Sequence, residues 1–98
     1  MNVPLSSDLR SPDSVPYFLW AEPMTVAELR ARLASGSDAE RSRFLGKILR
    51  EARDTDVWYF TTPRELAGNW NKIERYLGRR RRFWTFLMRK WKELGLIE

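Results

Sequence analysis

The sequence predicts a small all-α protein, a single-domain helical bundle with an extended N-terminal strap. A chain of 98 residues fits one domain. Residues 25–28, 37–40 and 62–65 each match the capping box, in which a hydroxyl and a glutamate bind the first free N–H groups of a helix. Each box precedes apolar residues at helical spacing, and an aromatic stripe with the same spacing fills the C-terminal region.

The first twenty residues divide into a polar tail and an apolar block. Residues 1–16 contain three prolines and four serines without an apolar period, so we expect a flexible N-terminal tail and a single helical domain over 17–98. The block that follows is Tyr17-Phe18-Leu19-Trp20, and four large side chains in a row cannot all face inward on one element. Two interpretations stay open: a strap laid across the core, or an exposed strip that docks a partner.

Two predicted helices follow Pro23 and form an αα-hairpin. The first covers about 25–35 and ends at Gly36, and its apolar stripe consists of Val26, Leu29 and Leu33. The second covers about 38–53, and its apolar residues share one side: Phe44, Leu45, Ile48, Leu49 and Ala52. Because the connection at Gly36 is very short, we expect the two helices to be antiparallel neighbours.

The middle of the chain predicts short helical segments. Residues 54–56, Asp-Thr-Asp, fit a capping turn ahead of residues 57–60, whose β-branched and aromatic side chains also suit a strand. Since no second strand is evident, we favour helix there. Further short helices are expected over 63–70 and 72–77.

The last predicted helix has the clearest pattern. It covers about 79–94 and stops at Gly95. Its core-facing stripe consists of Trp84, Leu87, Met88, Trp91 and Leu94. We interpret this aromatic stripe as core rather than as a cofactor site.

The residue types that are missing exclude most enzyme classes. The chain has no Cys and no His, so disulfides, thiolate metal sites and histidine-based catalytic arrangements are excluded within it. No apolar run reaches the roughly 18 to 20 residues of a membrane helix, and the N-terminus lacks a signal-peptide pattern. We expect a cytoplasmic protein with no membrane contact, catalytic activity, cofactor or metal.

Positive charge is concentrated towards the C-terminus. The net charge is +5, although residues 1–40 hold three basic residues against six acidic ones. Residues 71–92 hold nine basic residues and one acid. Such a concentration predicts an acidic partner, either a protein or a nucleic acid.

The most distinctive feature is the run Arg79-Arg80-Arg81-Arg82 at a predicted helix start. Four adjacent guanidinium groups repel one another, and the helix macrodipole disfavours cations at this end. This conflict with local stability indicates that an anion or an acidic surface binds from outside. Three interpretations remain open: an acidic protein, a phosphate group, or solvated arginines whose stems pack on aromatic rings.

Two sets of candidate binding residues follow from these patterns. The set for an acidic protein partner comprises Tyr17, Phe18, Trp20, Arg79, Arg80, Arg81, Arg82 and Arg89. The alternative set, for a nucleic acid, comprises Arg43, Lys47, Arg50, Lys72, Arg75, Arg79, Arg82 and Lys90. Because no helix-turn-helix, RNP1 strand or zinc-finger pattern is present, the alternative predicts phosphate binding without sequence preference.

Short aromatic boxes in the chain resemble those of a group of small bacterial proteins. The boxes are Pro16-Tyr17-Phe18-Leu19-Trp20, Ala52-Arg53-Asp54-Thr55-Asp56-Val57-Trp58 and Phe83-Trp84-Thr85-Phe86-Leu87. In that group they read as a Pro-Tyr-Phe-Phe-Trp-Asp-like box, an Asp-Val-Trp segment and an Arg-x-Phe-Trp helix. The matching positions are Tyr17, Phe18, Trp20, Asp56, Trp58, Phe83 and Trp84, whereas Ala21 stands where the box carries Asp.

Proteins of that group resemble antitoxins that partner nucleotidyltransferase toxins of the AbiEii type. The resemblance spans roughly residues 16–97 and implies a non-enzymatic protein that binds and neutralises such a toxin. A carboxylate-lined enzyme cleft would suit a basic partner. Any role of the Asp in the box does not carry over to Ala21.

Overall fold

The computed structural model describes residues 4–97, and within them the chain is a small all-α domain, as the sequence predicts. The α-helices are α1 (Val26–Ser35), α2 (Asp38–Glu51), α3 (Pro63–Gly68), α4 (Trp70–Ile73) and α5 (Arg81–Glu93). Short 3₁₀ turns lie at Tyr17–Leu19, Asp54–Tyr59, Glu74–Tyr76 and Gly78–Arg80. The two-residue strands β1 (Leu5–Ser6) and β2 (Val15–Pro16) pair in parallel.

Helices start where the sequence places capping residues. Thr25 accepts from the N–H of Glu28, and the Glu28 carboxylate accepts from the N–H of Thr25, which completes a capping box. Ser37 and Thr62 likewise accept from the backbone N–H three residues further on. Each bond satisfies a donor that helix geometry leaves free. The three predicted helix starts are confirmed, but within residues 4–97 the complete capping box forms only at Thr25. Glu65 instead accepts from the hydroxyl of Thr61 at 2.6 Å.

The hairpin of α1 and α2 buries the predicted stripe of α2. These residues are at most 1% exposed: Phe44, Leu45, Ile48, Leu49 and Ala52. The turn between the helices is tight, because a Cβ on Gly36 would lie 2.5 Å from the carbonyl oxygen of Arg32. The Arg41 guanidinium closes the turn by donating to the carbonyl oxygen of Leu33 at 2.9 Å.

The last helix, α5, rests on α2 and closes the core. Trp84 is fully buried, and its indole Nε1–H donates to the carbonyl oxygen of Leu49 at 2.9 Å. Leu87 and Trp91 are half-buried. Leu94, predicted as part of the core stripe, is 70% exposed because it lies past the last turn that rests on the core.

The boundaries of α5 follow the prediction closely. The helix is preceded by the Gly78–Arg80 turn, and Gly95 ends it with φ +74°. The N–H of Leu96 then donates to the carbonyl oxygen of Trp91 at 2.9 Å, the reverse bond typical of a glycine helix end. None of the helices described between residues 4 and 97 combines the length and apolar character needed to cross a membrane.

The N-terminal segment differs from the predicted loose tail. Leu9 is 2% exposed and Val15 is 5% exposed, so both belong to the core. The N–H of Val26 donates to the carbonyl oxygen of Ser14 at 2.8 Å. This bond satisfies a donor at the start of α1 that the helix cannot pair itself. Contacts with α1, which the composition does not reveal, therefore hold a polar and proline-rich segment against the domain.

The predicted extended strap is instead a tight turn, Tyr17–Leu19. It directs Phe18 and Leu19 into the core, leaves Tyr17 half-buried and exposes Trp20. An extended chain would send successive side chains to opposite faces, whereas the turn buries two consecutive large residues. Residues 1–3 of the predicted tail and residue 98 of the predicted domain lie outside the described part of the chain.

Residues 54–59 form a 3₁₀ turn, so the preference for helix over strand is confirmed. The predicted capping by Asp54 and Asp56 is wrong. Asp54 pairs with Arg80, and Asp56 accepts from the hydroxyl of Tyr17 at 2.6 Å. Both carboxylates tie together elements that are distant in sequence, which local spacing cannot indicate.

Candidate functional site

The four consecutive arginines have different surroundings. Arg80 forms an ion pair with Asp54, and its guanidinium lies 4.9 Å from the ring centroid of Phe83. Arg81 lies 3.6 Å from the carboxylate of Glu74. Neither Arg79 nor Arg82 forms an ion pair within residues 4–97, and both are exposed. Half of the predicted cluster is therefore already neutralised by the chain itself.

The remaining arginines surround an exposed aromatic ring on the outer side of α5. Arg79, Arg82 and Arg89 lie around Phe86, which is 46% exposed, and we name these four residues the α5 cationic face. They line an open groove of about 610 Å³ together with Gly78, Arg81 and Thr85. No acidic residue lines this groove within the described part of the chain. The guanidinium of Arg89 lies 6.0 Å from the centroid of the Phe86 ring.

The backbone at the start of α5 adds to this positive potential. Gly78 has φ +54° and leads the chain into the turn that precedes the helix. No side chain caps the first N–H groups of α5, and its first turn holds no acidic residue. The positive end of the helix dipole therefore reinforces the arginine charges instead of being offset.

A second row of cations, on α2, is paired within the molecule. We name Arg43, Lys47 and Arg50 the α2 cationic face. The guanidinium of Arg43 donates to both carboxylate oxygens of Glu22, at 3.0 and 3.2 Å, and Lys47 lies 3.6 Å from the same carboxylate. Arg50 pairs with Glu51 at 2.9 Å and also donates to a backbone carbonyl, that of residue 76, at 3.0 Å.

The pKa values around Glu22 reflect this pairing. Hydrogen bonds from Arg43 hold the pKa of the Glu22 carboxyl below its ordinary value, and the same bonds raise the pKa of Arg43. Each partner therefore stabilises the charged form of the other. The α2 cationic face is consequently satisfied within the molecule.

The other basic residues of the nucleic-acid set are also mostly engaged. Lys72 lies 3.4 Å from Asp38, and its hydrogen bond lowers the pKa of that carboxyl. Lys90 lies 3.3 Å from the carboxylate of Glu93. Arg75 is exposed and lies 5.0 Å from the ring centroid of its neighbour at position 76. The eight residues of this set thus do not form one free surface.

The N-terminal block offers little to a partner. Phe18 is 1% exposed and packs edge-on against Phe60. The hydroxyl of Tyr17 donates to Asp56 and accepts from the N–H of Arg53 at 2.8 Å. Burial raises the pKa of this hydroxyl, so it stays protonated and holds both bonds at neutral pH. Of the three predicted contact residues in this block, only Trp20 is exposed, at 64%.

The aromatic boxes that carry the family resemblance meet in three dimensions. Tyr17 binds Asp56, which joins the first box to the second. Trp58 contacts Trp84 with ring centroids 6.0 Å apart, which joins the second box to the third. Phe83 packs edge-on against Trp84 at 5.1 Å. Most of the matching positions therefore hold the fold together.

Phe86 is the site residue that the candidate sets omit. Sequence periodicity places it on the far side of the last helix, away from the tryptophan stripe. An aromatic residue among arginines on the polar face of an amphipathic helix is the signal that could have identified it. Its exposed ring gives the α5 cationic face an apolar centre.

The described residues contain no cluster of three or more acidic side chains arranged to hold a metal ion. Comparison of the chain with protein-family models, with characterised proteins and with solved structures finds no match. Among the described residues, the α5 cationic face is where unpaired guanidinium groups and an exposed aromatic ring come together.

Proposed function

We propose that this chain is a non-enzymatic binding protein that docks onto an acidic protein surface through the α5 cationic face. Its target is a nucleotidyltransferase toxin of the AbiEii type, which it neutralises as an antitoxin. One observation carries the proposal: Arg79, Arg82 and Arg89 surround the exposed ring of Phe86, and none of them forms an ion pair within residues 4–97.

The cost of leaving these arginines unpaired supports an external partner. Arg79 and Arg82 lie at the positive end of α5, and the guanidinium groups of all three arginines repel one another, so the isolated chain gains no stability from their charge. An acidic surface would form charge-assisted hydrogen bonds with the guanidinium groups and bury the Phe86 ring between them. Arginine and an aromatic ring are the residue types that most often dominate the energy of a protein interface.

The chemistry of the proposed target fits this face. Nucleotidyltransferases hold their metal ions with active-site carboxylates and bind the triphosphate of the substrate beside them. Guanidinium groups inserted into such a cleft would pair with the carboxylates and occupy the space of the metal and the triphosphate. The complementary charge would also accelerate docking, and the accelerated rate would fall with added salt.

The test measures inhibition of a purified nucleotidyltransferase of the AbiEii type. The wild-type chain is expected to bind the enzyme and to suppress nucleotidyl transfer. The double variant Arg82→Gln/Arg89→Gln is expected to bind at least about tenfold more weakly, since interface arginines are often worth more than 1.4 kcal/mol. Calorimetry gives the affinity, and incorporation of labelled nucleotide gives the inhibition.

A charge-matched control separates a specific contact from general attraction. Arg10→Gln/Arg64→Gln removes two exposed arginines that lie outside the α5 cationic face. It is expected to retain wild-type affinity. Equal weakening by the two double variants, or no binding by the wild type, would contradict the proposal.

Nucleic-acid binding is the second candidate function, and it is now restricted to the same face. Three exposed arginines next to an exposed ring can bind phosphates and stack on an unpaired base. Arg43, Lys47 and Arg50 contribute little because intramolecular partners already engage them.

Fluorescence anisotropy with random single-stranded and duplex oligonucleotides at several salt concentrations tests this candidate. Three phosphate contacts predict that the logarithm of affinity for duplex falls with the logarithm of salt with a slope of about −2.7. Arg82→Gln/Arg89→Gln should flatten that slope. No binding at the lowest salt would eliminate this candidate without affecting the first.

A further inference from the structure

A second exposed surface runs beside the α5 cationic face. It lies where α5 meets the Asp54–Tyr59 turn, and we name it the α5 apolar flank. Its residues are Trp58, Phe83, Leu87, Trp91 and Leu94. Trp58 is 39% exposed, Phe83 37% and Leu94 70%, whereas Leu87 and Trp91 between them are half-buried and pack against the core.

The contacts of Trp58 place it on this side of the helix. Its ring lies 5.7 Å from the centroid of Trp91 and 6.0 Å from that of Trp84. At 3.6 residues per turn, Phe83, Leu87 and Leu94 fall on one side of α5, adjacent to Trp91. The eleven steps from Phe83 to Leu94 cover about 16 Å along the helix axis. The flank is therefore long and narrow.

The flank adjoins the cationic face around the helix. Lys90 lies between the two surfaces, and its ammonium group is 5.7 Å from the Phe86 ring. Along α5, Glu93 is the only carboxylate near this boundary within residues 4–97, and Lys90 already pairs with it. An occupant of the flank would thus meet cations along one edge.

Charge decides what kind of occupant fits. A second copy of this chain would bring its own arginines against these, in a protein whose net charge is already +5. An acidic partner would relieve that repulsion. The length of the flank, about 16 Å, matches the apolar stripe of a helix of about three turns.

We infer that the α5 apolar flank binds the apolar stripe of an acidic amphipathic helix, whose carboxylates reach the α5 cationic face. This inference rests on the proposed function, and it identifies the partner element as a helix. The sequence predicts the apolar contacts with a partner at Tyr17, Phe18 and Trp20. We now place them on α5 and the Asp54–Tyr59 turn. In the N-terminal block Phe18 is buried, Tyr17 is held by Asp56 and only Trp20 is exposed. In the flank Trp58, Phe83 and Leu94 are all exposed.

The experiment compares two fluorescein-labelled peptides of the same composition and net negative charge. Each has roughly 18 residues, a length at which an isolated helix can form. One peptide places its leucines on a single helical face flanked by glutamates, and the other distributes them around the helix. The wild-type chain is expected to bind the amphipathic peptide at least about tenfold more tightly, because burial of a single leucine corresponds to that ratio.

Variants of exposed residues identify the surface that makes the distinction. Phe83→Gln/Leu94→Gln is expected to bind both peptides equally and weakly, and Leu94→Gln alone to lose part of the preference without risk to the fold. The matched control is Leu5→Gln/Leu96→Gln, which replaces two other exposed leucines and should retain the full preference. Circular dichroism confirms that each variant is folded.

The outcomes separate this inference from the proposed function. Equal binding of the two peptides by the wild-type chain would overturn the helix inference, while inhibition of the nucleotidyltransferase would still support the proposed function. Preference for the amphipathic peptide that survives Phe83→Gln/Leu94→Gln would also overturn it, since another surface would be responsible. Failure of the enzyme assay with the peptide preference intact would overturn only the choice of target.

Discussion

The α2 and α5 cationic faces have basic residues at similar spacing but different surroundings. Both carry basic residues one and two turns apart on the outer side of an amphipathic helix. On α2, Glu22 holds Arg43 and Lys47 from a loop twenty-one residues away from Arg43, and Arg50 is bound to Glu51 and to a backbone carbonyl. On α5, by contrast, three arginines surround an open groove.

The difference shows that the spacing of basic residues along a helix does not by itself reveal whether the rest of the fold leaves their charges free. Pairing within the molecule removes the long-range field that attracts a partner, and it fixes the side chains in one geometry. Unpaired arginines retain both their field and their hydrogen-bond donors. The count of basic residues in a segment therefore matters less than the position of the acidic ones.

The prediction with the largest expected effect concerns the contact between Trp84 on α5 and Leu49 on α2. Trp84→Ala should lower the free energy of unfolding by about 3–5 kcal/mol, because it removes a buried indole and leaves the Leu49 carbonyl without its donor. Phe86→Ala, on the exposed side of the same helix, should change it by less than about 0.5 kcal/mol. Urea unfolding followed by circular dichroism measures both, and similar losses would contradict the assignment of Phe86 to a free surface.

The next test concerns how α2 is covered. A Cβ on Gly46 would lie 2.4 Å from the Cβ of Tyr76, so Gly46→Ala should destabilise the protein by about 1–3 kcal/mol. Gly68→Ala is the matched control, since a Cβ there meets no atom within 4 Å. It should be neutral or slightly stabilising. Equal melting temperatures for the two variants would show that this side of α2 is looser than described.

A smaller effect separates the arginines of the run. Arg80→Gln should lower stability by about 1 kcal/mol, because the side chain pairs with Asp54 and packs on the Phe83 ring. Arg82→Gln should leave the melting temperature unchanged or raise it slightly, since it relieves repulsion at the helix start. Thermal unfolding at low ionic strength distinguishes them. A loss for Arg82→Gln as large as that for Arg80→Gln would mean that Arg82 also serves the fold.

The last prediction concerns a variant that frees the α2 cationic face from its carboxylate partner, so that it resembles the α5 cationic face. Glu22→Gln releases Arg43 and Lys47 and should cost about 0.2–1 kcal/mol at neutral pH. Because the pKa of Glu22 is lowered, the contribution of the carboxylate is complete above its ordinary value of 4.5 and is lost as the pH falls through the lowered pKa. Wild type and variant should therefore become equally stable in acid. The released cations should also strengthen binding to heparin, measured by the salt needed for elution.

Local patterns in the sequence predicted the helices well. Thr25, Ser37 and Thr62 start helices, and Gly95 ends one, because capping depends on residues a few positions apart. The burial of the α2 stripe follows from its period for the same reason. The sequence also indicates that the four arginines of the run cannot all face the same partner, since consecutive residues on a helix point in different directions.

Contacts between distant segments decided which charged side chains are paired within the molecule and which stay free. Glu22 with Arg43, Asp54 with Arg80 and Tyr17 with Asp56 each join residues that the sequence separates by more than twenty positions. Hydrogen bonding and ion pairing require proximity in space, which periodicity and composition do not encode. The amino-acid sequence by itself determined a helical domain rich in positive charge. Only the packing of the helices decided that α2 keeps its cations for the fold while α5 presents Arg79, Arg82 and Arg89 to the outside.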